Sequence, residues 1–468
     1  MRFLSSSIEI QTSLLTGSHE ADLPFRDLSA SQPIDFQRAA AAAFASMSLN
    51  QSGKSLLLSK GFVSPLLALC IHEDASVQRD AMFCMANFAC SQDFCQFVVR
   101  EGGIETLKTA LSSTAASTEV LRDAARAISS FSVDIATKEV MISREIPKVL
   151  WKLAKSTDSE TQRFAALALC NLCMGTREQK ELLVKQGALR VLLFLLRFPD
   201  LDVERCASLS VSALALGSDM NKAEIIDNGF VRPLIETITY PDARICHCAL
   251  LALNGIVLGE LAEAKEIVQK GNGLASLFER IKSNDDESLY SGIYLLGTLS
   301  ENTTICDTLM EMDFLRMIVE KSSLGSIGLK RAAAYFLCIV SECAKYHDEI
   351  VRVGGLESAV ALASLVDKEC QDYGSLALAF LASNKSFQVP LVKMGAVRPL
   401  VSMIEANSCS KHYAALALVK LADNFENHIT IAGKYPIQYL SLRGLFMSDL
   451  TSYVRNYLIL SPAIRMQL

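Results

Sequence analysis

Residues 146–187 read IPKVLWKLAKSTDSETQRFAALALCNLCMGTREQKELLVKQG, and the fold follows from how this stretch is parsed. An apolar segment, 146–154, predicts a short helix. A polar break at Ser156, Thr157, Asp158 and Ser159 stops it, because such side chains cap helices and compete with their backbone bonds. A longer helix is predicted from about residue 160 to 174, with Ala165, Ala166, Ala168, Leu169 and Leu172 on one side. A third helix, 179–185, ends at Gly187, where a residue without a Cβ can turn left-handed and close a helix.

The same pattern then starts again. Its junctions align at Gly61, Gly103, Glu145, Gly187, Gly229, Gly273, Asp313, Gly355, Gly395 and Tyr435, which lie 40 to 44 residues apart. Self-similarity at such a period is the signature of a solenoid. Glu145, Asp313 and Tyr435 replace the junction glycine, and the bend is expected to differ at those three places. The breaks before the long helices carry helix-stopping and helix-capping residues, as at Pro199-Asp200, Pro241-Asp242 and Asn284-Asp285-Asp286. Residues 112–118 and 322–328 read as longer, looser breaks.

The repeat resembles the armadillo family. The likeness is carried by GALRVLLFLL (187–196), by GAVRPLVSMI (395–404) and by the Ala-Leu-x-Asn-Leu sequence that ends at Leu172. It spans residues 36–468, and within the family it is most like the arrays of vacuolar protein 8 and β-catenin. The resemblance implies an all-α, right-handed α-solenoid of about ten three-helix repeats. Residues 1–35 are expected to be a mostly disordered tail, Ser-rich and acidic, with a possible short helix at 8–15. Residues 36–49 read as the long helix of a repeat without its earlier helices. Covering that end would fall to residues 8–15, to a partner or to further sequence. The unit at 436–460, with Tyr453 and Tyr457, is expected to close the stack.

The chain has 468 residues, a net charge of −6 and an apolar half rich in Ala and Leu rather than aromatics. No global positive field favours nucleic acid or an anionic membrane. The 14 cysteines show no paired framework and mostly sit on apolar helix faces, which fits a reducing compartment. The longest apolar run, 249–258, is too short for a bilayer and contains Asn254. Position 2 is Arg, so N-myristoylation is not expected, and no secretory signal is expected either. A cytoplasmic protein, with the nucleus as a second location, is expected to reach membranes only through a partner.

Several motifs that suggest chemistry read as structural. Gly53-Lys54-Ser55 lacks the upstream Gly of a phosphate loop, has Ser48 in its place, and is expected to be a turn between helices. Gly271-x-Gly273 has no strand before it. The pair Cys170 and Cys173 has no second pair at zinc spacing, and Cys246-His247-Cys248 fans out round a helix. The six histidines are scattered. Trp151 aligns with Leu193 and is expected to pack in the core. No cofactor, metal or catalytic set is expected.

In the armadillo family the long helices line the inner, concave face. There a ladder of Asn holds the backbone of an extended peptide, alternating in importin-α with Trp four residues earlier. The matching slot here holds Ser46, Asn87, Ser130, Asn171, Ala213, Gly255, Thr298, Ile339, Phe380 and Lys420. With two Asn and no Trp, a nuclear-transport receptor for basic cargo is the second choice, together with a regulatory subunit of an enzyme complex. Eight residues earlier lies a column of Arg79, Arg122, Arg163 and Arg205, then His247 and later Arg331. Eight residues turn about 80° round a helix, so the column flanks the Asn line. A row of guanidinium groups could hold carboxylates or phosphates, or it could pair with Glu160, Glu204 or Asp80. The expected function is therefore a protein-interaction scaffold, not an enzyme. It would bind an extended acidic or phosphorylated peptide through Arg79, Asn87, Arg122, Ser130, Arg163, Asn171 and Arg205.

Overall fold

The structure, a computed structural model, describes residues 33–112, 116–216, 218–258, 273–282, 286–406 and 410–434. The expected short helix at 8–15, most of the tail, the centre of the break at 112–118, Gly271, the junction at Tyr435 and the closing unit at 436–460 lie outside the described residues. Every regular element among the described residues is helical, and the fold is an all-α solenoid. The chain forms two units that divide at the repeat junction between Asn228 and Gly229.

The first unit contains five long helices: α1 (Ile34–Met47), α2 (Ala75–Ala89), α3 (Thr118–Phe131), α4 (Ser159–Cys173) and α5 (Leu201–Ala215). The second contains α6 (Ala243–Val257), α7 (Asp286–Leu299), α8 (Ile327–Glu342), α9 (Lys368–Ala382) and α10 (Lys411–Ala422). Within each unit every long helix packs on the long helix of the next repeat, and the short apolar helices stack in a second row. The long helices approach closely because small residues face one another. Ala165, Ala166 and Ala168 of α4 are all but fully buried, beside Leu169 and Leu172. Each buried Leu contributes about 1.5–3 kcal/mol.

The defining stretch folds as read, with one adjustment. Its apolar helix is Ile146–Ala154, its long helix is α4, and its third helix is Arg177–Lys185. The last starts two residues before the expected position. Thr176 accepts the Gln179 N–H while the Gln179 side chain accepts the Thr176 N–H, and this reciprocal box nucleates the turn early.

Three expectations are corrected. The bend at Glu145 and Asp313 does not differ from that at the glycines. Both are left-handed, with φ of 60° and 57°, beside 88° at Gly187 and 89° at Gly395. The packed helices on either side hold the bend and outweigh the steric cost of a Cβ there, about 1–2 kcal/mol. At two junctions the left-handed residue is one position earlier than the aligned glycine, at Gly102 and Gly354. Gly103 itself starts a helix, where a Cβ would lie 2.7 Å from Val98 Cγ1. Gly53 is not in a turn but in the first turn of the helix Gln51–Ser59, its N–H bonded to the cap Asn50 at 2.7 Å. Trp151 is not core. It is half-buried against Phe194 of the next repeat, at 5.6 Å between centroids, with Lys155 and Arg190 over its ring.

Candidate functional site on the faces of the long helices

The arginine column sits in the first turns of the long helices, and Arg122, Arg163 and Arg331 find their partners in the next repeat. Arg122 Nη2 lies 2.6 Å from Asp158 Oδ1, and Arg163 Nη2 lies 2.9 Å from Asp200 Oδ2. The same tie joins Arg38 to Asp74 at 2.6 Å and Arg331 to Asp367 at 2.7 Å. In every case the carboxylate caps the following long helix: Asp74 accepts from Ser76 and Val77, Asp158 from Thr161, Asp200 from Asp202 and Val203, and Asp367 from Cys370. The spacing from Arg to Asp is 36 or 37 residues, one repeat minus the offset of the cap.

These aspartates are mostly buried, with 11–18% of their side chains exposed. The Arg38 hydrogen bond holds Asp74 at a pKa of about 2, and Arg122 holds Asp158 well below the usual carboxylate range. Burial pushes Asp200 and Asp367 up, but Arg163 and Arg331 together with the N–H groups of the capped helix starts outweigh it. Arg122 and Arg163 are therefore ties between repeats, not a row of open guanidinium groups. A ligand held by either of them would share it with these carboxylates. The alternative of pairing with nearby acids is what the geometry shows, although the main partners are the capping aspartates and not Glu160 or Glu204. Among the described residues Arg79 and Arg205 form ion pairs within their own helices, with Asp80 at 3.0 Å and Asp202 at 3.1 Å. The cap one repeat after Arg79 is Ser117, which has no charge to offer.

The Asn slot is also engaged across repeats. Asn87 Nδ2 donates to Ser48 Oγ at 2.8 Å, and Asn171 Nδ2 donates to Ser132 Oγ at 3.0 Å. Ser130 Oγ lies 3.2 Å from Cys90 Sγ. Ser48, Cys90 and Ser132 each end the preceding long helix, so the slot ties the close of one long helix to the next. Among the described residues the side-chain oxygens of Asn87 and Asn171 accept no hydrogen bond. They are half-buried and remain able to receive a backbone N–H. In the first unit a groove of about 500 Å³ brings Arg79 and Arg122 together with Asp80, Glu119, Asp123 and Glu160. Arg126 lies 5.3 Å above the Phe83 ring there and 2.9 Å from Asp123. Neither sign of charge predominates in this groove.

The second unit contains a site that the sequence reading missed. A cavity of about 530 Å³ opens on α8 and its neighbours, with Tyr335, Tyr346, Tyr373 and Tyr413 in its walls. Tyr335 stacks on Tyr294 at 4.4 Å and 12° and meets Tyr373 edge-on at 5.1 Å. Its hydroxyl is 3.3 Å from Thr298 Oγ1. Gly297 makes the stack possible, because a Cβ there would lie 2.9 Å from the Tyr335 ring. Ile339 and Phe380 form the half-exposed mouth, and Glu301, Glu342 and Asp372 are the lining carboxylates. Asp372 accepts from Ser410 Oγ at 2.6 Å. Among the described residues no Lys or Arg lines the cavity. Burial pushes the Cys306 thiol up to about 11 and Cys338 higher still. Both are held protonated, which suits packing and not nucleophilic chemistry. The signal was present in the sequence: Tyr294 and Tyr335 stand four residues before Thr298 and Ile339, in the column searched only for Trp.

No described helix is long and apolar enough to cross a membrane. No protein-family model matches the chain, and no curated protein matches it. Solved structures do. An engineered protein from the Northeast Structural Genomics Consortium superposes with a TM-score of 0.74 at 26% identity, over 89% of this chain and 99% of that one. Two shorter engineered proteins from the same consortium, at 26% and 30% identity, each cover 51% of this chain with TM-scores of 0.46 and 0.47.

Proposed function

We propose that the chain is an armadillo-type interaction scaffold that binds an extended segment of a partner protein against the faces of its long helices. The observation that carries this reading is the tyrosine-walled cavity on α7–α10. It combines an apolar aromatic wall with polar groups at its edge, the composition of a site that fixes one side chain of a partner. The open oxygens of Asn87 and Asn171 support the same role in the first unit, as acceptors for a peptide backbone. The arginine ties remove the basis for a preference for acidic or phosphorylated partners. A competing carboxylate would have to displace Asp158 or Asp200, each already bonded to both an arginine and a helix N-terminus.

The test is binding of the full chain to an array of unstructured peptides, repeated with Phe380→Ser at the mouth of the cavity. Peptides retained by the unaltered chain should be lost or weakened about tenfold by removal of the aromatic ring. Retention of every peptide by the variant would remove the cavity from the binding surface.

A further inference from the structure

We infer that the surface around Trp151, on the row of short apolar helices in the first unit, is a second docking site, and that it takes an acidic segment of a partner protein with apolar side chains between its carboxylates. It is independent of the cavity on α7–α10.

Trp151 stands on the helix Ile146–Ala154, and its indole meets Phe194 of the next short helix, Ala188–Leu195, edge-on at 5.6 Å. Phe198 continues the strip at 6.2 Å from Phe194. Three half-buried rings therefore cross from one repeat to the next. Two cations share the indole: Lys155 Nζ lies 4.2 Å and the Arg190 guanidinium carbon 4.6 Å from its centroid. Both are exposed, and so is Arg197, which follows the cap of the second short helix. Among the described residues none of these three cations forms an ion pair.

The charge is left over because the acids of these repeats are engaged elsewhere. Glu105 pairs with Arg144, Glu145 with Lys148, Asp158 with Arg122 and Asp200 with Arg163. Lys155 follows a helix C-terminus, where a cation is favoured. Arg190 stands in the first turn of its helix, where the macrodipole opposes it, and the indole offsets that cost. Two like charges gathered on one ring repel each other. A carboxylate set between them removes the repulsion and keeps both cation–π contacts. The rings fix the rest of the segment, since apolar side chains beside its acids can lie along Trp151, Phe194 and Phe198. A nucleic acid fits less well. The chain carries −6 overall, and strand binding draws on a longer row of phosphate contacts than this cluster offers.

Trp151 is the only tryptophan in the chain, so its emission reports on this site alone. The full chain is titrated with three unlabelled peptides of one length that set Phe in a background of Glu, Gln or Lys, and with a single-stranded oligothymidine. The Glu peptide should change the emission saturably and bind about tenfold tighter than the Gln peptide, and added salt should narrow that difference. The double variant K155Q/R190Q should bring the Glu peptide to the level of the Gln peptide. Both substituted residues are exposed, and circular dichroism checks that the variant keeps its helices. Phe380→Ser, in the second unit, should leave this binding unchanged. The inference is overturned if the Glu peptide leaves the emission as it was, or if it binds no tighter than the Gln peptide, the Lys peptide or the oligonucleotide. It is equally overturned if K155Q/R190Q holds the Glu peptide as tightly as the unaltered chain, or if Phe380→Ser releases it.

Discussion

Arg122 holds Asp158 through two hydrogen bonds, Nη2 to Oδ1 at 2.6 Å and Nε to Oδ2 at 2.9 Å, while the same carboxylate receives the Thr161 N–H at 2.9 Å. One side chain thus starts a helix and docks it on the previous repeat. The arrangement recurs at Asp74, Asp200 and Asp367.

Asp158→Ala should lower stability more than Arg122→Leu. The first change removes the cap, worth about 1 kcal/mol, and leaves Arg122 facing an uncharged helix start. The second leaves the cap in place and removes only a part-exposed ion pair. Asp158→Asn should fall between them, since an amide still caps. Urea midpoints of the full-length variants test the order, and equal losses for the leucine and alanine changes would contradict it.

Acid should weaken the molecule in a defined window. The folded pKa of Asp74 is about 2, and those of Asp158, Asp200 and Asp367 are also lowered. In the unfolded chain these groups titrate near 4. The stability they add is therefore complete above that value and is lost as pH falls from about 4 towards 2. Denaturation midpoints should be level between pH 7 and 5 as far as these groups act, then drop. The double variant D74N/D158N should show a shallower drop.

Ser117 is a cap without a charge, opposite Arg79. Ser117→Asp should supply the missing tie and raise the melting temperature slightly, by the equivalent of about 0.5 kcal/mol for a surface pair. The gain should vanish in an Arg79→Ala background. A double-mutant cycle isolates the pair, and an equal gain with and without Arg79 would assign the effect to the helix N-terminus alone.

The fold was legible because the repeat is written in local chemistry. A capping Asp or Ser, an Ala-rich face and a turn residue recur at one spacing, and each specifies its own neighbourhood. The arginine column was equally visible, but its meaning was not. Arg122 and Asp158 are 36 residues apart, and a search for pairs on the same helix offered Asp80 or Glu160 instead. Only the stacking of one repeat on the next brings the cap within reach. The tyrosine cavity was missed for a different reason. Tyr373 and Tyr413 occupy no shared slot with Tyr335, and they meet it only because α9 and α10 pack beside α8.

Asp313 carries a left-handed backbone, φ 57°, at a junction where other repeats have glycine. Asp313→Gly should stabilise the second unit by up to about 1 kcal/mol, since the relief of strain exceeds the entropy that glycine adds to the unfolded chain. A urea titration measures it. The opposite change, Gly187→Asp at φ 88°, should destabilise the first unit by a similar amount.

The shared carboxylates have a consequence for how the molecule assembles. A repeat whose helix start is completed by its predecessor gains order only when that predecessor is already in place, so nearest-neighbour coupling is built into the hydrogen bonding as well as the packing. Between α2 and α3 the shared carboxylate is missing, because Ser117 stands where Asp158 stands one repeat later, and the charge across that seam is left to Arg79 acting on Glu119. Hydrogen exchange should find that seam opening first, with α1 and α2 breathing apart from α3 and α4 well before the whole unit melts.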